Sequence, residues 1–473
     1  MKRSTVITLL LQFIVIPAIS KVVPSSLISD NMVLQQQTKV RLWGKATPDT
    51  KVSISASWGK KSYSCVSDAN GCWLAEVVTP QAGNVPYSIT FDDGEKTVIS
   101  HILIGEVWFA GGQSNMEMPL KGFANCPVKG SLEAIAEADN HPQIRMFNIP
   151  RTLDYEPQSD TKGQWKVASS ETAPQFSAAA YFFALTLNRS LHVPVGIINC
   201  SVGGSKVESW TNREVLQSYP DIDLSRKKME ETPDYLRPMV FYNAMVHPVI
   251  NYTIKGFIWY QGESNVGNRD YALRMANMVK QWREEWKLGE IPFYYVELAP
   301  YFYNGGQKEK GPILREEQYK AQALIPNSGM ICTNDLVERY EANNVHPRNK
   351  ELVGKRLGYI ALNRTYDKKG IPCNGPEYKA MEIAGSRVKL TFHHAEMGYT
   401  RNQDIQGFEV AGSDRVFYPA DKVEPDHSSQ GWWVSSGKVA QPVAVRYCFK
   451  DYQPGNLGGK GELPMVPFRT DDW

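Results

Sequence analysis

Apolar and polar residues follow two kinds of pattern along the chain, and the first is typical of half-buried β-strands. Between residues 21 and 101, segments such as 40–44 and 51–55 alternate with a period of two, and Gly-containing turns separate them. These residues are therefore predicted to form an N-terminal β-sandwich domain. Residues 371–473 contain similar strand patterns at 387–392 and 443–447, which predict a C-terminal β region of the sandwich type.

The second pattern fills the middle of the chain, where short apolar runs alternate with helical periodicity. Strands are predicted at 102–109, 143–147, 195–199, 256–260, 293–296 and 330–332, and helices at 177–191, 269–287, 315–324 and 347–364. Continuously apolar strands separated by helices indicate a parallel sheet that is covered on both faces. Residues 102–370 are therefore predicted to be an α/β domain.

The length of the chain and its net charge limit the number of domains and the kinds of binding partner that we expect. A chain of 473 residues exceeds one ordinary core and favours two or three domains. Its net charge of +2 predicts no strong attraction to nucleic acid or to an anionic membrane. After residue 20, no stretch approaches the roughly 20 apolar residues that a membrane span needs.

Residues 1–20 are predicted to be a secretory signal peptide. Lys2 and Arg3 precede a short apolar run, and Ala18 and Ser20 fit the small-residue cleavage pattern. Lys21 rather than Cys follows, so no lipobox is present. We therefore expect a periplasmic or secreted protein.

The seven cysteines give no metal signal, because neither a CxxC pair nor an HExxH motif occurs. Cys65 and Cys72 flank a turn-like segment, and two alternatives stay open for them. They form a local disulfide, or they are free thiols.

Four predicted strand ends in the α/β region carry polar turns, three of them rich in Gly, at 111–116, 201–205, 261–265 and 334–338, the last leading to 343–347. A parallel sheet brings all four to one edge, and ligands bind outside the carboxyl ends of such strands. This convergence is the main reason to predict an enzyme.

Ester or acyl-transfer chemistry needs a nucleophile, a base and donors for a developing oxyanion. Ser114 follows a Gly pair at the end of a long apolar strand, and Ser205 and Ser264 compete with it but look like helix-capping residues. His346, which precedes a Pro and a helix, is the best candidate base, and His247 is its rival.

Donors for the oxyanion are predicted from the same loops. The backbone N–H groups of Ser114 and Gly204 lie in Gly-containing turns that allow close approach to a ligand. The side chain of Gln261 is predicted to add a third donor.

Several ordered motifs resemble those of the sialate O-acetylesterase family, which belongs to the SGNH hydrolases and is related to bacterial acetylxylan esterases. The motifs are Gly112-Gln113-Ser114-Asn115-Met116, Gly203-Gly204-Ser205, Glu208-Ser209-Trp210, Tyr242-Asn243-Ala244-Met245, Trp259-Tyr260-Gln261-Gly262-Glu263-Ser264-Asn265 and His346-Pro347-Arg348-Asn349-Lys350. The resemblance implies a flavodoxin-like, three-layer catalytic domain and a serine esterase without a cofactor or metal. Ser114 would be the nucleophile and His346 the general base, and Gly204 and Gln261 would complete the oxyanion hole.

One departure from the family pattern concerns the support of His346. Members of the family often carry an Asp two or three residues before the catalytic His, and here those positions are Asn344 and Asn343. Two alternatives remain open. Either a carboxylate supports the imidazole, from Asp335 or Glu338 in preference to Glu341 or Glu263, or a Ser-His dyad operates. We favour the dyad, oriented by Asn343 or by a backbone carbonyl.

The resemblance implies an acetylated sugar or glycan as the substrate, with O-acetylated sialic acid first and acetylxylan second. A carbohydrate-binding protein with little catalysis is the alternative. For Trp210 and Tyr260 two alternatives stay open, since each either stacks on a sugar ring or belongs to the core, and Asn243 is predicted to contact the sugar. A sialic acid carboxylate would require an arginine, for which the candidates are Arg151, Arg213 and Arg339.

Overall fold

The computed structural model describes residues 21–303, 309–400 and 404–473, so the predicted signal peptide lies outside the described residues. The chain is mixed α/β with several sheets, as predicted. The N-terminal region contains seven short strands, and their burial alternates where the sequence alternates, as along Lys51–Ala56. These strands are β1 (Val23–Pro24), β2 (Val33–Gln35), β3 (Lys39–Lys45), β4 (Lys51–Ala56), β5 (Ser62–Val66), β6 (Cys72–Val78) and β7 (Gly83–Asp92).

Strand β8 (Lys96–Gly112) joins the N-terminal region to the middle of the chain. Its first part pairs antiparallel with β7 and parallel with β2, and its second part lies in the central sheet. The predicted boundary between residues 101 and 102 falls inside this strand. The sequence pattern changes there because burial changes from alternating to continuous, while the strand itself continues.

The central sheet places β8 where the order of strands reverses. Its order is β10-β9-β11-β8-β12-β13-β14, and β10 is antiparallel at the edge while the others are parallel. In such sheets the crevice at the reversal is the usual ligand site. The strands are β9 (Ile144–Asn148), β10 (Trp165–Val167), β11 (Val195–Ser201), β12 (Gly256–Tyr260), β13 (Phe293–Val296) and β14 (Ser328–Ile331).

Helices cover both faces of this sheet. On one face α3 and α8 pack in the cluster that contains Trp108, and on the other Trp282 and Trp286 of α6 pack on Phe109. Within the described ranges, none of the helices has the length and apolar character required to cross a membrane. The helices are α1 (Ser114–Glu117), α2 (Ser131–Ala136), α3 (Ala178–Leu191), α4 (Arg213–Leu216), α5 (Arg226–Glu231), α6 (Tyr271–Trp286), α7 (Lys310–Leu324) and α8 (Lys350–Arg364).

The predicted helix 347–364 begins three residues later than the pattern indicated, at Lys350. Asn349 is the N-cap, because its side chain accepts a hydrogen bond from the backbone N–H of Leu352 at 3.2 Å. Residues 342–349 are therefore free to form an irregular loop, and His346 lies in that loop.

The C-terminal region forms two antiparallel four-stranded sheets around one apolar core. Arg469 pairs with Glu316 of α7 at 2.9 Å, which fixes the tail against the α/β region. The strands are β15 (Glu377–Ala384), β16 (Arg387–His393), β17 (Phe408–Ala411), β18 (Phe417–Pro419), β19 (Lys422–Asp426), β20 (Gly431–Ser435), β21 (Ala444–Tyr447) and β22 (Phe468–Arg469).

All seven cysteines lie in the described residues and are free thiols. The alternative of a Cys65–Cys72 disulfide is therefore wrong. Cys72 is exposed, and its Sγ lies 2.9 Å from the ammonium of Lys45.

Candidate active site

The buried side chain of Asn115 joins three of the predicted loops. Its amide donates to the Glu263 carboxylate in the loop after β12, and to the backbone carbonyl of Val345 at 3.0 Å. The Lys350 ammonium donates to the Asn115 amide oxygen at 2.8 Å. Since Asn115 follows Ser114 and Val345 precedes His346, the predicted nucleophile and base come from adjacent loops at one edge of the sheet.

Ser114 begins α1 directly beyond the end of β8, and its backbone turn depends on a glycine. Gly112 has φ +143°, and a Cβ there would collide with the carbonyl of Tyr260. Ser114 itself is only partly buried. Among the described residues its Oγ has no hydrogen-bond partner, so the hydroxyl is available for chemistry.

The two competing serines are engaged in the structure. Ser205 is fully buried, and its hydroxyl donates to the Val202 carbonyl at 2.8 Å and accepts from the indole of Trp210. The Ser264 hydroxyl donates to the carbonyl of Gly204 at 2.7 Å. Both hydroxyls therefore hold loops in place, which distinguishes them from Ser114.

Two backbone N–H groups near Ser114 are free to donate. In the part of the chain that the structure describes, neither the N–H of Ser114 nor that of Gly204 has a protein acceptor. Gly204 has φ +78°, and the adjacent Gly203 lies against the nucleophile, since a Cβ there would be 3.4 Å from the Cβ of Ser114. Two unbonded donors beside a hydroxyl are the arrangement that stabilises an oxyanion.

The Gln261 amide has other partners in the structure, and its role as a direct oxyanion contact stays a prediction. Its Nε2, with only two hydrogens, lies within hydrogen-bond distance of acceptors on Gln113 (3.1 Å), Ser205 (3.0 Å) and Asn265 (2.8 Å). Its Oε1 accepts from the Tyr271 hydroxyl at 2.7 Å. The buried Gln261 side chain ties the loops together.

His346 is half-buried in the loop before α8. Its ring packs edge-on against Phe123, with ring centroids 5.2 Å apart. Burial and the nearby charge of Lys350 lower the pKa of His346 from 6.5 to about 4. The imidazole is therefore neutral at physiological pH and able to accept a proton. Phe123 was not singled out from the sequence, where nothing distinguishes it from a core residue.

The rival base is fixed by a structural contact. The Nδ1 of His247 lies 2.7 Å from the backbone carbonyl of Gln158, and its ring packs on Tyr242. Neither of these contacts involves the four predicted loops, whereas His346 lies in one of them.

None of the acids predicted to support His346 contacts its imidazole within the described residues. Asp335 forms a bidentate pair with Arg356 at 2.7 and 2.6 Å, and Glu338 caps the turn at Arg339–Glu341. Asn343 is exposed, and among the described residues it makes neither a hydrogen bond nor a ring contact with His346. The loop instead turns Asn344 inward, and its amide oxygen accepts from the backbone N–H of His346 at 2.9 Å.

The three residues considered for sugar contact are all buried, and for Trp210 and Tyr260 this agrees with the alternative that they are core residues. Trp210 and Tyr260 are 0% and 1% exposed. The Asn243 amide is also buried and donates to the backbone carbonyl of Asp154 at 3.3 Å. Aromatic residues beside catalytic motifs here fill the space under the loops, so their rings cannot reach a ligand.

Tyr235, which the sequence did not indicate, lies over the site. Its ring packs on Gly204, where an added Cβ would be 2.7 Å from the Cδ2 atom, and 40% of the residue is exposed. It comes from the turn at Asp234–Leu236, in a polar segment with no informative period. An exposed ring next to a candidate oxyanion donor is accessible to a ligand that approaches this turn.

A carboxyl group borders the other side of this glycine turn. Glu117 accepts a hydrogen bond from the N–H of Gly203 at 2.6 Å. Burial raises the pKa of Glu117 above its usual range, while the Gly203 hydrogen bond and the charge of Arg151 oppose this rise. Of the three candidate arginines, Arg151 is thus the one whose charge acts at this turn.

No group of three or more His, Cys, Asp or Glu side chains is arranged to hold a metal ion within residues 21–303, 309–400 and 404–473.

A family model, curated relatives and a solved structure that are similar to this chain are described as carbohydrate esterases or acetylesterases. A family model described as carbohydrate esterase, sialic acid-specific acetylesterase, matches residues 104–363. Sialate O-acetylesterases of Mus musculus and Homo sapiens are each 26% identical to this chain, over 82% of it and 81% and 79% of theirs. The crystal structure of a carbohydrate acetylesterase from Xanthomonas citri superimposes with a TM-score of 0.86 at 32% identity, covering 96% of this chain and 100% of that one.

Proposed function

From the premise that this chain belongs to the sialic acid-specific acetylesterase family of carbohydrate esterases, we propose that it hydrolyses O-acetyl esters on sugars with Ser114 as its nucleophile. The chain is a carboxylic ester hydrolase of acetylated carbohydrate, and the proposal concerns its mechanism, its substrate and its location. The α/β region is proposed to be the flavodoxin-like SGNH domain.

One observation carries the assignment of Ser114. Its hydroxyl is unbonded within the described residues, whereas the hydroxyls of Ser205 and Ser264 hold backbone carbonyls. Beside it lie the unbonded N–H groups of Ser114 and Gly204. These observations support the proposal that Ser114 is the nucleophile and that the two N–H groups bind the oxyanion, next to the strand at which the order reverses.

The first half of the reaction forms an acetyl-enzyme. The Ser114 oxygen attacks the acetyl carbonyl carbon while His346 takes the hydroxyl proton. The carbonyl oxygen becomes an oxyanion that accepts hydrogen bonds from the N–H groups of Ser114 and Gly204. The tetrahedral intermediate collapses, the bond to the sugar oxygen breaks, and His346 returns its proton to that oxygen.

The second half releases acetate. His346 takes a proton from water, whose oxygen attacks the acetyl carbon and forms a second oxyanion in the same place. Collapse breaks the bond to the Ser114 oxygen, which regains a proton from His346. The net change is one ester and one water converted to a sugar hydroxyl and acetic acid.

We propose that His346 works as a dyad with Ser114, without a carboxylate partner. Asp335 is paired with Arg356 and Asn343 is exposed, and both observations support a dyad. The lowered pKa of His346 also agrees with an imidazolium that no anion stabilises.

O-acetylated sialic acid is the proposed substrate, because the family model is specific for sialic acid and Arg151 supplies a cation near the Gly203–Gly204 turn. We also propose that residues 1–20 direct export, so that the enzyme meets glycans outside the cytoplasm.

Acetate release from matched substrates tests this proposal. The purified chain is incubated with an O-acetylated sialoside, with acetylated xylo-oligosaccharide and with a chromogenic acetyl ester, and kcat/KM is measured for each. We expect all three to react and the sialoside to have the highest kcat/KM. A higher kcat/KM for the xylo-oligosaccharide would indicate acetylxylan as the preferred substrate. If none of the three released acetate, the alternative of a carbohydrate-binding protein would be favoured.

A further inference from the structure

A buried lysine lies beside the proposed nucleophile, and the reaction steps above do not use it. Lys350, the first residue of α8, is 0% exposed. Its Nζ donates to the amide oxygen of Asn115 at 2.8 Å and to the backbone carbonyl of Pro347 at 2.6 Å. It also lies 5.6 Å from the centroid of the Tyr260 ring. Burying an ammonium group costs folding free energy unless an opposite charge or hydrogen bonds compensate it, so we expect a compensating charge near Lys350.

The partner charge lies on the far side of Asn115. The amide nitrogen of Asn115 donates to Oε1 of Glu263, while its amide oxygen accepts from Lys350. The neutral Asn115 amide thus lies between the side chains of Lys350 and Glu263. Its oxygen accepts from the ammonium group and its nitrogen donates to the carboxylate. The Oε2 of Glu263 is buried without a hydrogen-bond partner among the described residues.

The contacts of Asn115 and Lys350 involve the residue after Ser114 and the residues before and after His346. Asn115 directly follows Ser114, and it donates to the carbonyl of Val345, which precedes His346. Lys350 holds the carbonyl of Pro347, which follows His346. A shift of the Asn115 amide would therefore move the Ser114 oxygen relative to the imidazole.

We infer that the Lys350–Asn115–Glu263 bridge sets the geometry between Ser114 and His346, with Lys350 as a positioning residue for the esterase reaction. This inference rests on the proposed function. A misplacement of about 1 Å in such a pair costs roughly a hundredfold in rate, so a role of this kind is measurable.

The same lysine acts electrostatically on the base. Its charge, after burial, lowers the pKa of His346. Burial also lowers the pKa of Lys350 itself to about 7, against the opposing effects of Glu263, Glu341 and Cys126. Lys350 is thus close enough to His346 for its charge to lower the pKa of the imidazole.

A merely structural lysine would stabilise the fold without changing how His346 titrates. The direction in which the pKa of His346 changes distinguishes a positioning lysine from a merely structural one. Removing the Lys350 charge removes an effect that lowers the pKa of His346, so that pKa rises. The acidic limb of kcat/KM, which reports the base in the free enzyme, then moves to higher pH.

The test uses the full chain with a chromogenic acetyl ester. Lys350→Met removes both the charge and the donors, and Lys350→Gln removes the charge but keeps an amide donor. We expect Lys350→Met to lower kcat about a hundredfold with KM within about threefold, and Lys350→Gln to lose less. In both variants the acidic limb should move to higher pH, whereas it should stay in place in the control. Lys355→Met is the matched control, because Lys355 pairs with Glu351 on the same helix at the surface and should change neither quantity.

A second variant covers the case in which Lys350→Met folds poorly because Glu263 is left as a lone buried charge. The double variant Lys350→Met/Glu263→Gln removes both charges and should recover the wild-type Tm while kcat stays low. The inference is overturned if a folded Lys350 variant keeps kcat within about threefold of wild type, or if the acidic limb does not move. Absence of acetate release by the wild type would instead refute the proposed function.

Discussion

The amide nitrogen of Asn115 lies 3.0 Å from the backbone carbonyl of Val345, and this hydrogen bond joins the residue after Ser114 to the residue before His346. The two loops are 230 residues apart in the chain, yet one buried side chain fixes their separation. The candidate site therefore depends on the loops that carry the reactive groups as well as on the sheet beneath them.

The pH dependence of kcat/KM should reveal an unusually weak base. His346 must be neutral to accept a proton, and burial together with Lys350 lowers its pKa to about 4. Activity should therefore persist as pH falls through 6.5, the ordinary histidine value, and decline only near pH 4. A kcat/KM profile from acid to neutral pH checks this, with stability monitored at each pH. An acidic limb centred at pH 6 or above in a folded enzyme would contradict it.

Asp335 should matter for stability more than for catalysis. Its carboxylate is bonded to Arg356, which is almost fully buried. Asp335→Asn should lower the free energy of unfolding by about 2 kcal/mol and leave kcat within about threefold. Denaturant unfolding and steady-state kinetics measure the two quantities. Asn343→Ala, at an exposed position in the same region, should change neither. A loss in kcat above about a thousandfold in Asp335→Asn alone, with the fold intact, would restore a triad.

Tyr235 should contribute to sugar binding and not to the chemical step. Its exposed ring lies against Gly204, where the sugar of a bound ester would pass. Tyr235→Ala should raise KM for an acetylated sugar about tenfold and leave kcat/KM for a small chromogenic ester nearly unchanged. Tyr235→Phe keeps the ring and should behave like wild type. Equal losses on both esters would show that the ring supports the Gly204 turn instead.

Arg151 should distinguish anionic from neutral sugars. Its charge acts on Glu117 beside the Gly203 turn. Arg151→Met should lower kcat/KM about tenfold for an O-acetylated sialoside and less than twofold for a neutral acetylated sugar, since one charge-assisted hydrogen bond is lost. Arg213→Met is the control, at an exposed position at the start of α4. A sialoside kcat/KM that Arg151→Met leaves unchanged would show that the carboxylate binds elsewhere.

The sequence was most informative about the strands that end at the site. Continuous apolar runs followed by Gly-rich turns predicted the parallel sheet and the loops that meet at its edge. A strand's period reports the burial of its faces, however, and not its length. The pattern therefore predicted a domain boundary after residue 101, although one continuous strand, β8, extends from Lys96 to Gly112.

The sequence was least informative about which side chains face the cleft. Trp210 and Tyr260 stand in motifs next to the catalytic loops, but their rings point into the core, and chain proximity cannot distinguish the two directions. Tyr235 carries no local signal, because only the folded chain brings its ring to Gly204. Lys350 shows the same limit, since nothing in its neighbours predicts a fully buried ammonium.

The most direct test of the central claim is acetate release by Ser114→Ala compared with Ser264→Ala on an O-acetylated sugar. Ser264 is the matched control, because its hydroxyl supports the Gly204 carbonyl and should be worth no more than about tenfold in kcat. Ser114→Ala, with an unchanged Tm, should lose at least about ten-thousandfold in kcat because no nucleophile remains. Wild-type turnover by Ser114→Ala, or a larger loss in Ser264→Ala than in Ser114→Ala, would contradict the account.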